Sequence, residues 1–478
     1  MSWTGRIVRI AAVAALVAGT GALGVSPAGA AVGDIDRLAG LAGNPGFSGD
    51  GGPGTDAQLN GPSGVAHGPD GRVYIADRQN DRVRVVEPDG TISTLASGLV
   101  KPVDVAVSPD GAYLYVAEDG DPFVNQIRRI DLADPGSSTV IAGGASSGYG
   151  GDGGPATGAV FWGIAGIDVG PDGDVFIADQ RNNRIRRIDV DTGTISLVAG
   201  TGAGGGDDGP VLSATFANPK DVAVDPTGQY VYVADEGTNN IRRIDLVAGT
   251  VSVFAGSYAP GFAGDGGPAG AAQLWSPDGV AVAPNGDVYI ADTSNNRVRR
   301  VDIATGTITT VAGNGGCCGG GDGGPATAAT IGNPMRLSVD AAGWIWIAAE
   351  AEHTVRVVEG AVVPGPPLDL TATRTDAGVA LTWSPPASDG GAPIIEYVVY
   401  RDGVEIGRTA SLAFTDADAP TTAATYEVAA VNVAGTGPRS EPAEIAAAPE
   451  EPTTTTSEPG VPAAPPASPV TATPTFVG

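Results

Sequence analysis

Aspartate recurs at fixed places in this 478-residue sequence, and repeated carboxylates can bind cations or polyhydroxylated ligands. One set lies in segments that read Gly-Asp-Gly-Gly-Pro or a close variant: Asp50, Asp152, Asp208, Asp265 and Asp322. The alternative role is structural, with each carboxylate accepting hydrogen bonds from glycine N–H groups and pinning its own loop. We favour the structural role because a binding site usually breaks symmetry and this motif does not. The spacing also differs from that of a calcium loop, so Ca²⁺ is only a candidate cation, the metal stays unassigned and no cofactor is expected.

A second set of aspartates ends short runs of β-branched and aromatic residues: Asp77, Asp179, Asp235 and Asp292. The functional interpretation adds these side chains to the same carboxylate surface. The local alternative is that each one caps the following turn, or pairs with an arginine of the next segment such as Arg82, Arg184 or Arg297. We favour the local alternative for this set as well.

Internal repetition over residues 35–360 supplies the elements that must position these carboxylates. One unit runs from Ser276 to Gly313 and contains four short β-branched segments, here strands a to d, separated by turn residues. Strands a, b and c occur six times, but d follows c only five times, and the segment Asp34–Gly40 matches the missing d. The sequence therefore predicts an all-β chain with a six-bladed β-propeller whose last blade is closed by the N-terminal strand. The alternative, a β-solenoid, would need no such permutation.

The strand path predicts which surface of the disc carries function. The d→a and b→c connections lie on one side, here the loop face, and the a–b and c–d turns lie on the other, the turn face. Both aspartate sets fall on the loop face. Strand a lines the central channel, and four charged residues replace the small residues usual there: Asp104, Asp168, Asp221 and Arg336. Together with Lys101, Lys220 and His353, they are the candidates for a site at the channel mouth.

The repeats resemble the NHL family of β-propellers. The resemblance is carried by Tyr74-Ile-Ala-Asp77 with Asn80-Asp-Arg-Val-Arg84, and by the corresponding segments that contain Asp179, Asp235 and Asp292. Blade 2 departs with Glu118 in place of aspartate, and blade 6 departs with Ala349. The resemblance implies a propeller that serves mostly as a binding scaffold, with a minority of enzymes.

Histidine is too scarce for the catalysis that lyases similar to this family generally perform. Only His67 and His353 are present, which excludes a three-histidine zinc site. We expect His67 to pack on strand a, whereas His353 is either a solvent-facing turn residue or a single base. An enzyme is therefore the less favoured interpretation, although it stays open.

The sequence predicts four parts: a signal peptide at 1–30, the propeller at 31–360, a further domain at 361–448 and a disordered Pro/Thr-rich tail at 449–478. Arg6 and Arg9 precede an apolar run and an Ala28-Gly29-Ala30 cleavage site, which indicates secretion. The segment 366–447 resembles a fibronectin type III β-sandwich, with Trp383 as its core tryptophan and Tyr426 at the tyrosine corner. The tail cannot bury a core, because it consists of proline, threonine, alanine and serine.

The only two cysteines are adjacent, Cys317 and Cys318, in the loop that precedes blade 6. In a secreted protein a vicinal disulfide is the intramolecular option, and two free thiols or an intermolecular bridge are the alternatives.

The net charge of −28 repels phosphate backbones and argues against nucleic-acid binding. No stretch after the signal peptide is long and apolar enough for a membrane span. We therefore expect a secreted, envelope-associated monomer that binds an extracellular protein or glycan on its loop face. The alternatives are a propeller lyase or hydrolase using a divalent cation, and an accessory module in polysaccharide degradation.

Overall fold

A computed structural model describes residues 33–120, 122–361, 363–390, 392–432 and 434–448. Residues up to about 360 form six antiparallel sheets of four or five strands, which matches a six-bladed β-propeller. The predicted signal peptide and the Pro/Thr-rich tail lie outside the described residues.

Each blade contains strands a to d, from the channel outward. The a strands are Pro62–His67, Pro102–Val107, Ile164–Val169, Pro219–Val224, Gly279–Val282 and Pro334–Val339. The b strands are Val73–Asp77, Tyr113–Asp119, Val175–Asp179, Tyr230–Asp235, Val288–Asp292 and Ile345–Ala349. The c strands are Arg82–Val86, Asn125–Asp131, Arg184–Asp189, Asn240–Asp245, Arg297–Asp302 and Thr354–Val358. The d strands are Thr91–Ser97, Ser138–Gly144, Thr194–Ala199, Thr250–Ala255 and Thr307–Ala312 for blades 1 to 5, and Asp34–Ala39 for blade 6.

The N-terminal strand closes the ring, as the count of repeats predicts. Asp34–Ala39 pairs antiparallel with Thr354–Val358, so the first described strand is the outer strand of the last blade. Leu38 and Ala39 then pack into one cluster with Leu59, Val65 and other residues of blade 1. This seam joins the two ends of the repeat region through both a strand ladder and a hydrophobic core.

Short 3₁₀ turns make both kinds of loop-face connection. Those between strands b and c are Arg78–Asn80, Gln180–Asn182, Glu236–Thr238, Thr293–Asn295 and Glu350–Glu352. Those in the d→a connections are Gly54–Asp56, Ala156–Gly158, Ala269–Ala271 and Ala326–Ala328.

The Gly-Pro of each long d→a connection covers an outer strand edge. Gly52–Pro53, Gly209–Pro210 and Gly324–Pro325 form two-residue strands against the d strands of blades 1, 4 and 6. Pro155 and Pro268 make single bridges to the same strand in blades 3 and 5. Because an uncovered edge is open to pairing with another chain, these segments protect the rim of the disc.

The remaining sheets lie in residues 368–445. One contains Leu368–Thr375, Gly378–Ser384 and Ala413–Asp416; the other contains Val404–Thr409, Glu396–Arg401, Ala424–Asn432 and Gly435–Arg439, with Ala443–Ile445 beside it. Trp383 and Tyr426 are buried in their shared core, and the Tyr426 hydroxyl donates to Asp416 at 2.8 Å. The fibronectin type III assignment stays a prediction. Within the described ranges, no helix has the length and apolar character needed to cross a membrane.

Candidate functional site

The repeated aspartates of the loop face pair with buried arginines. In blade 3 the Arg186 guanidinium lies 2.8 Å from Asp152 of the glycine-rich loop and 3.4 Å from Asp179 of strand b. The equivalent loop pairs are Arg84–Asp50, Arg242–Asp208, Arg299–Asp265 and Arg356–Asp322, at 2.5–2.6 Å. These arginines have no exposed side-chain surface in blades 1, 3, 4 and 5, and almost none in blade 6. The loop carboxylates are thus counter-ions that hold each loop onto its blade, and a binding role for them stays a prediction.

The strand-b aspartates do not cap the backbone of the turns that follow them; they tie each turn to the connection that enters the same blade. Asp77 accepts hydrogen bonds from the Asn60 backbone at 2.7 Å and from Nδ2 of Asn80 at 2.7 Å. Burial raises the pKa of Asp179 and Asp292 to about 6 and that of Asp235 to about 7, because desolvation outweighs the arginine and the hydrogen bonds.

The partner arginine of each strand-b aspartate lies two residues later than the sequence suggests. Asp77, Asp179 and Asp292 pair with Arg84, Arg186 and Arg299. The earlier arginines instead donate to the carbonyl groups of the turn, Arg82 to Asn80 and Arg184 to Asn182.

Blade 6 keeps the ion pair although it lacks the strand-b aspartate. Glu352, in the turn after Ala349, lies 3.4 Å from Arg356 and accepts the Gly332 backbone N–H. In blade 2 the pair is Glu118–Arg128 at 2.8 Å, and the short connection before that blade supplies no loop aspartate.

A second device links five of the six blades to the next. The residue before strand c adopts a left-handed conformation in five blades, and its side chain accepts a backbone N–H at the entrance of the following strand a: Asp81 from Lys101, Asn183 from Asn218, Asn239 from Ser276, Asn296 from Asn333, and His353 from Gly61. Two of the candidate channel-mouth residues, Lys101 and His353, belong to this device. His353 Nδ1 lies 3.1 Å from the Gly61 nitrogen and makes the link that closes the ring.

The channel is plugged by a charged ring. At one equivalent position of strand a, here the ring position, Asp104, Asp221 and Arg336 of blades 2, 4 and 6 alternate with Gly64, Gly166 and Gly279 of blades 1, 3 and 5. It is the third residue of the strand in every blade except blade 5, where Gly279 is the first. A Cβ at Gly64 would lie 2.7 Å from the Asp104 backbone, and one at Gly166 would lie 2.3 Å from the Asp221 carboxylate. Glycine is therefore required at every second place so that the charged side chains fit.

Arg336 spans this ring. Its guanidinium lies 3.8 Å from Asp104, 3.4 Å from Asp221 and 3.1 Å from Asp278, and it donates to the carbonyls of Ala165 at 2.8 Å and Lys220 at 2.7 Å. Burial raises the pKa of Asp104 to about 7 and that of Asp221 well above its usual range, although Arg336 opposes both shifts. The same carboxylates hold the pKa of Arg336 above its ordinary value.

These charges lie inside the channel and not at a solvent-facing mouth. Asp104, Asp221 and Arg336 are 3%, 3% and 5% exposed. The reason is that strand a is the inner edge of each sheet and its backbone groups need partners. Asp104 accepts the Ile167 N–H at 2.9 Å, and Asp221 accepts the Val280 N–H at 3.0 Å. Lys220 points to Glu236 instead, at 3.5 Å.

A cavity of about 200 Å³ lies beyond the ring, along the channel axis. It is lined by strand-a residues at or after the ring position and by none before it, so it lies toward the turn face. The polar side chains beyond the ring are Asp168, His67 and Ser338. His67 stacks on Trp346 at 4.5 Å, its Nδ1 lies 2.7 Å from the Ser338 hydroxyl, and burial lowers its pKa to about 4.

The loop face carries exposed aromatic residues that the sequence reasoning missed. Phe47, Tyr149 and Phe262 each stand three residues before a loop aspartate, are 42–43% exposed, and stack on Arg82, Arg184 and Arg297 at 3.6–3.8 Å. Trp162 lies two residues before strand a of blade 3 and is 43% exposed. Trp275 lies two residues before Pro277, in the connection that enters blade 5, and is 49% exposed. The signal in the sequence that could have identified Phe47, Tyr149 and Phe262 is their identical spacing from the loop aspartates.

The two cysteines are exposed thiols with no S–S bond in this structure. Cys318 has a φ of 82°, and hydrogen bonding to Cys317 raises the pKa of its thiol. The vicinal disulfide stays a prediction. Among the residues that the structure describes, no three His, Cys, Asp or Glu side chains are grouped so as to hold a metal ion.

Comparison with known proteins supports the repeat assignment. Residues 59–86 and 274–301, in blades 1 and 5, match the model of the NHL repeat, so the chain carries NHL repeats on its β-propeller. The Arabidopsis thaliana protein SUPPRESSOR OF QUENCHING 1, chloroplastic, is 30% identical over 279 residues, which cover 52% of this chain and 26% of that protein. The match therefore spans about a quarter of that relative.

Two solved structures from Bacteroides thetaiotaomicron share the fold. A structural genomics protein of unknown function has a TM-score of 0.53 and 21% identity, covering 68% of this chain and 75% of that one. An auxiliary nutrient binding protein has a TM-score of 0.52 and 16% identity, covering 68% and 76%. At these identities the likeness concerns the fold alone.

Proposed function

We propose that this chain is a secreted, non-catalytic binding protein whose loop face recognises an extracellular protein or glycan. The observation that carries the proposal is the set of exposed aromatic residues on that face, among them Phe47, Tyr149, Phe262, Trp162 and Trp275. Aromatic rings and arginine are enriched where proteins bind partners, because they offer a large contact area at a low cost in side-chain entropy.

The stacking on arginine prepares three of these rings for binding. The guanidinium of Arg82 covers one side of Phe47 and also donates to the turn at Asn80, so the ring is held before a ligand arrives. A ring that is already ordered loses less conformational freedom on binding. The fold likeness to an auxiliary nutrient binding protein is compatible with a binding role.

The charged residues of this face support binding more than catalysis. The loop aspartates, the strand-b aspartates and Arg336 already have partners within the protein, and His353 takes part in the ring closure. A catalytic acid or base must instead be within reach of a substrate proton.

The test is a binding screen of the purified chain against a panel of glycans and an envelope extract. We expect Trp162→Ala/Trp275→Ala to lose at least tenfold in affinity for whatever the wild type binds. Ile303→Ala is the control, since it removes an exposed apolar side chain from a c–d turn on the turn face. A wild type that binds nothing, or an equal loss in the control, would overturn the proposal.

A further inference from the structure

Each blade fixes one loop-face residue, just before its strand a, by the same hydrogen bond. The backbone N–H of this residue donates to the strand-b carboxylate of its own blade at 2.7–3.0 Å in blades 1 to 5, and to Glu352 in blade 6. We call it the entrance position, and in blades 1 to 6 it is occupied by Asn60, Val100, Trp162, Ala217, Trp275 and Gly332. The backbone is thus held in the same way in every blade, while the side chain differs from blade to blade.

Tryptophan at the entrance position is not required by the blade itself. Ala217 and Gly332 make the same backbone hydrogen bond with a small side chain or none. Trp162 and Trp275 nevertheless leave 43% and 49% of their surface exposed to solvent. Exposed aromatic surface is unfavourable in water and is enriched where proteins bind partners. The two tryptophans therefore mark a binding surface over blades 3 and 5.

Blade 4 lies between the two tryptophans and carries small residues where they carry large ones. Its entrance position is Ala217, and Gly237 of its b–c turn stands where blade 3 has Arg181 and blade 5 has Ser294. A Cβ at Gly237 would lie 2.6 Å from the Ala217 carbonyl oxygen and 2.9 Å from the Ala217 Cβ, so the turn has no room for a larger residue. The entrance positions of blades 3 to 5 are thus large, small and large, which leaves a notch at blade 4.

A row of half-buried polar side chains accompanies this notch. Gln180 Nε2 donates to Asn218 Oδ1 at 2.7 Å, and Asn218 Nδ2 donates to the Glu236 carboxylate. Lys220 Nζ lies 3.5 Å from the same carboxylate. Asn218 directly follows Ala217, and Glu236 directly precedes Gly237, so the row borders the notch on both chain segments.

The row offers hydrogen bonds without a net charge. Lys220 and Glu236 neutralise each other, and Gln180 and Asn218 are uncharged. A carboxylate has about four lone-pair sites and a side-chain amide has two donors and an acceptor, so these groups keep capacity for further partners. The side chains of Lys220 and Glu236 are 22% and 29% exposed, which leaves them within reach of a ligand.

The ligand class follows from two exposed aromatic rings beside an uncharged polar row. A pyranose with equatorial hydroxyls has C–H groups on both faces, which can stack on an indole, and a rim of hydroxyls that both donate and accept. One sugar cannot occupy both tryptophans, because a whole blade separates them. Building on the function proposed above, we propose that blades 3 to 5 bind an uncharged oligosaccharide of gluco-configured pyranoses, which stacks on Trp162 and Trp275 and crosses the notch of blade 4.

The experiment measures binding of the full chain by calorimetry with cellohexaose, laminarihexaose and maltohexaose, with their disaccharides, and with hexagalacturonate as an anionic comparison. We expect at least one uncharged hexamer to bind at one site per chain, at least tenfold tighter than its disaccharide and than hexagalacturonate. Trp162→Ala and Trp275→Ala should each weaken the hexamer at least fivefold, because each removes one stacking surface.

Two further variants separate the site from the fold. Val100→Ala shortens a 37% exposed apolar side chain at the entrance position of blade 2, outside the site, and should not change binding. Ala217→Trp introduces into blade 4 the residue that blades 3 and 5 carry at this position. It should fill the notch and weaken the hexamer at least fivefold, with the unfolding temperature of the wild type.

Equal affinity for hexamer and disaccharide, or unchanged affinity in both tryptophan variants, would overturn the oligosaccharide site. If no hexamer binds but the envelope extract supplies a protein ligand that requires the tryptophans, this inference fails and the binding function of the loop face stands. If neither glycans nor extract bind, both proposals fail.

Discussion

At the scale of single residues, the buried charged side chains of the channel ring provide hydrogen-bond partners for backbone groups. Asp104 and Asp221 supply acceptors to the inner edge of neighbouring blades, and Arg336 supplies donors to the carbonyls of Ala165 and Lys220. A buried ion network of this kind adds little compared with an apolar core, but it is costly to break from one side.

The first prediction concerns Arg336. Arg336→Met should lower the free energy of unfolding by about 3–5 kcal/mol, because it leaves Asp104, Asp221 and Asp278 buried without their cation. The measurement is urea unfolding followed by circular dichroism. Arg72→Met removes an arginine whose side chain is 39% exposed and should cost less than about 1 kcal/mol.

Part of the free energy of unfolding that Arg336→Met loses should be recovered when a carboxylate is also removed. Asp104→Asn combined with Arg336→Met leaves one fewer uncompensated charge and should be more stable than Arg336→Met alone. If the double variant were less stable than the single one, the ring would not be held by charge compensation.

The second prediction is a dependence of stability on pH. Burial raises the pKa of Asp168 and Asp235 to about 7 and that of Asp179, Asp292 and Asp340 to about 6, whereas unfolded aspartate titrates near 4. Between about pH 4 and pH 7 the folded state then binds more protons than the unfolded state, so the stability falls as the pH rises through this window. His67 acts in the opposite direction below pH 6.5, but the carboxylates with a raised pKa, which also include Asp104 and Asp221, outnumber it.

The chain should therefore be more stable at pH 5 than at pH 8, by more than about 1 kcal/mol. Urea midpoints at the two pH values measure the difference. Asp340→Asn removes one of these carboxylates and should reduce the difference. A midpoint that is higher at pH 8 would show that the folded-state shifts have the other sign.

At the scale of elements, the blade is stabilised by one arginine between two carboxylates that differ in burial. Asp292 is fully buried and accepts from Trp275, Asn295 and Arg299, whereas the Asp265 side chain is 36% exposed and contacts Arg299 and Thr310. The strand-b carboxylate thus organises the turn, and the loop carboxylate attaches a peripheral connection to it.

The third prediction compares these two carboxylates within one blade. Asp292→Ala should cost about 3 kcal/mol or more, because it leaves buried donors unsatisfied. Asp265→Ala should cost about 1 kcal/mol, since solvent reaches the site. Thermal unfolding of the two variants gives the comparison, and equal losses would contradict the assigned roles.

At the scale of the whole molecule, the propeller has a threefold alternation within its six blades. Blades 1, 3 and 5 carry glycine at the channel ring and an aromatic residue on the loop, whereas blades 2, 4 and 6 carry the charged ring residue and no such aromatic. The ring itself is closed by Asp34–Ala39 together with the hydrogen bond between His353 and Gly61, so the stability of the whole propeller depends on this seam.

The fourth prediction tests that closure. Leu38 is 3% exposed in the seam between blades 6 and 1, and Leu38→Asp should lower the unfolding temperature of the propeller by at least about 10 °C by burying an unpaired charge. Leu212→Asp is the matched control at a position that is 63% exposed, and it should have little effect. Similar unfolding temperatures for the two variants would mean that the seam is not needed.

Much of this architecture can be predicted from the sequence, because it depends on local and repeated signals. The alternation of strands and turns predicted six blades, and the unequal number of d strands predicted the closing role of Asp34–Ala39. Both are properties of spacing along the chain. In the C-terminal sheets the sequence pointed to Trp383 as a core residue, and Trp383 is buried there.

Only the tertiary structure decided what the charged residues contact. Asp50 and Arg84 are 34 residues apart, and Arg336 reaches Ala165 across 171 residues, so no local pattern could pair them. The position of the cavity likewise depends on six a strands that meet at one axis. The sequence determined which side chains each blade carries along its strands, and the closure of the ring determined which of them face each other, because contacts between blades form only when the ends of the repeat region meet.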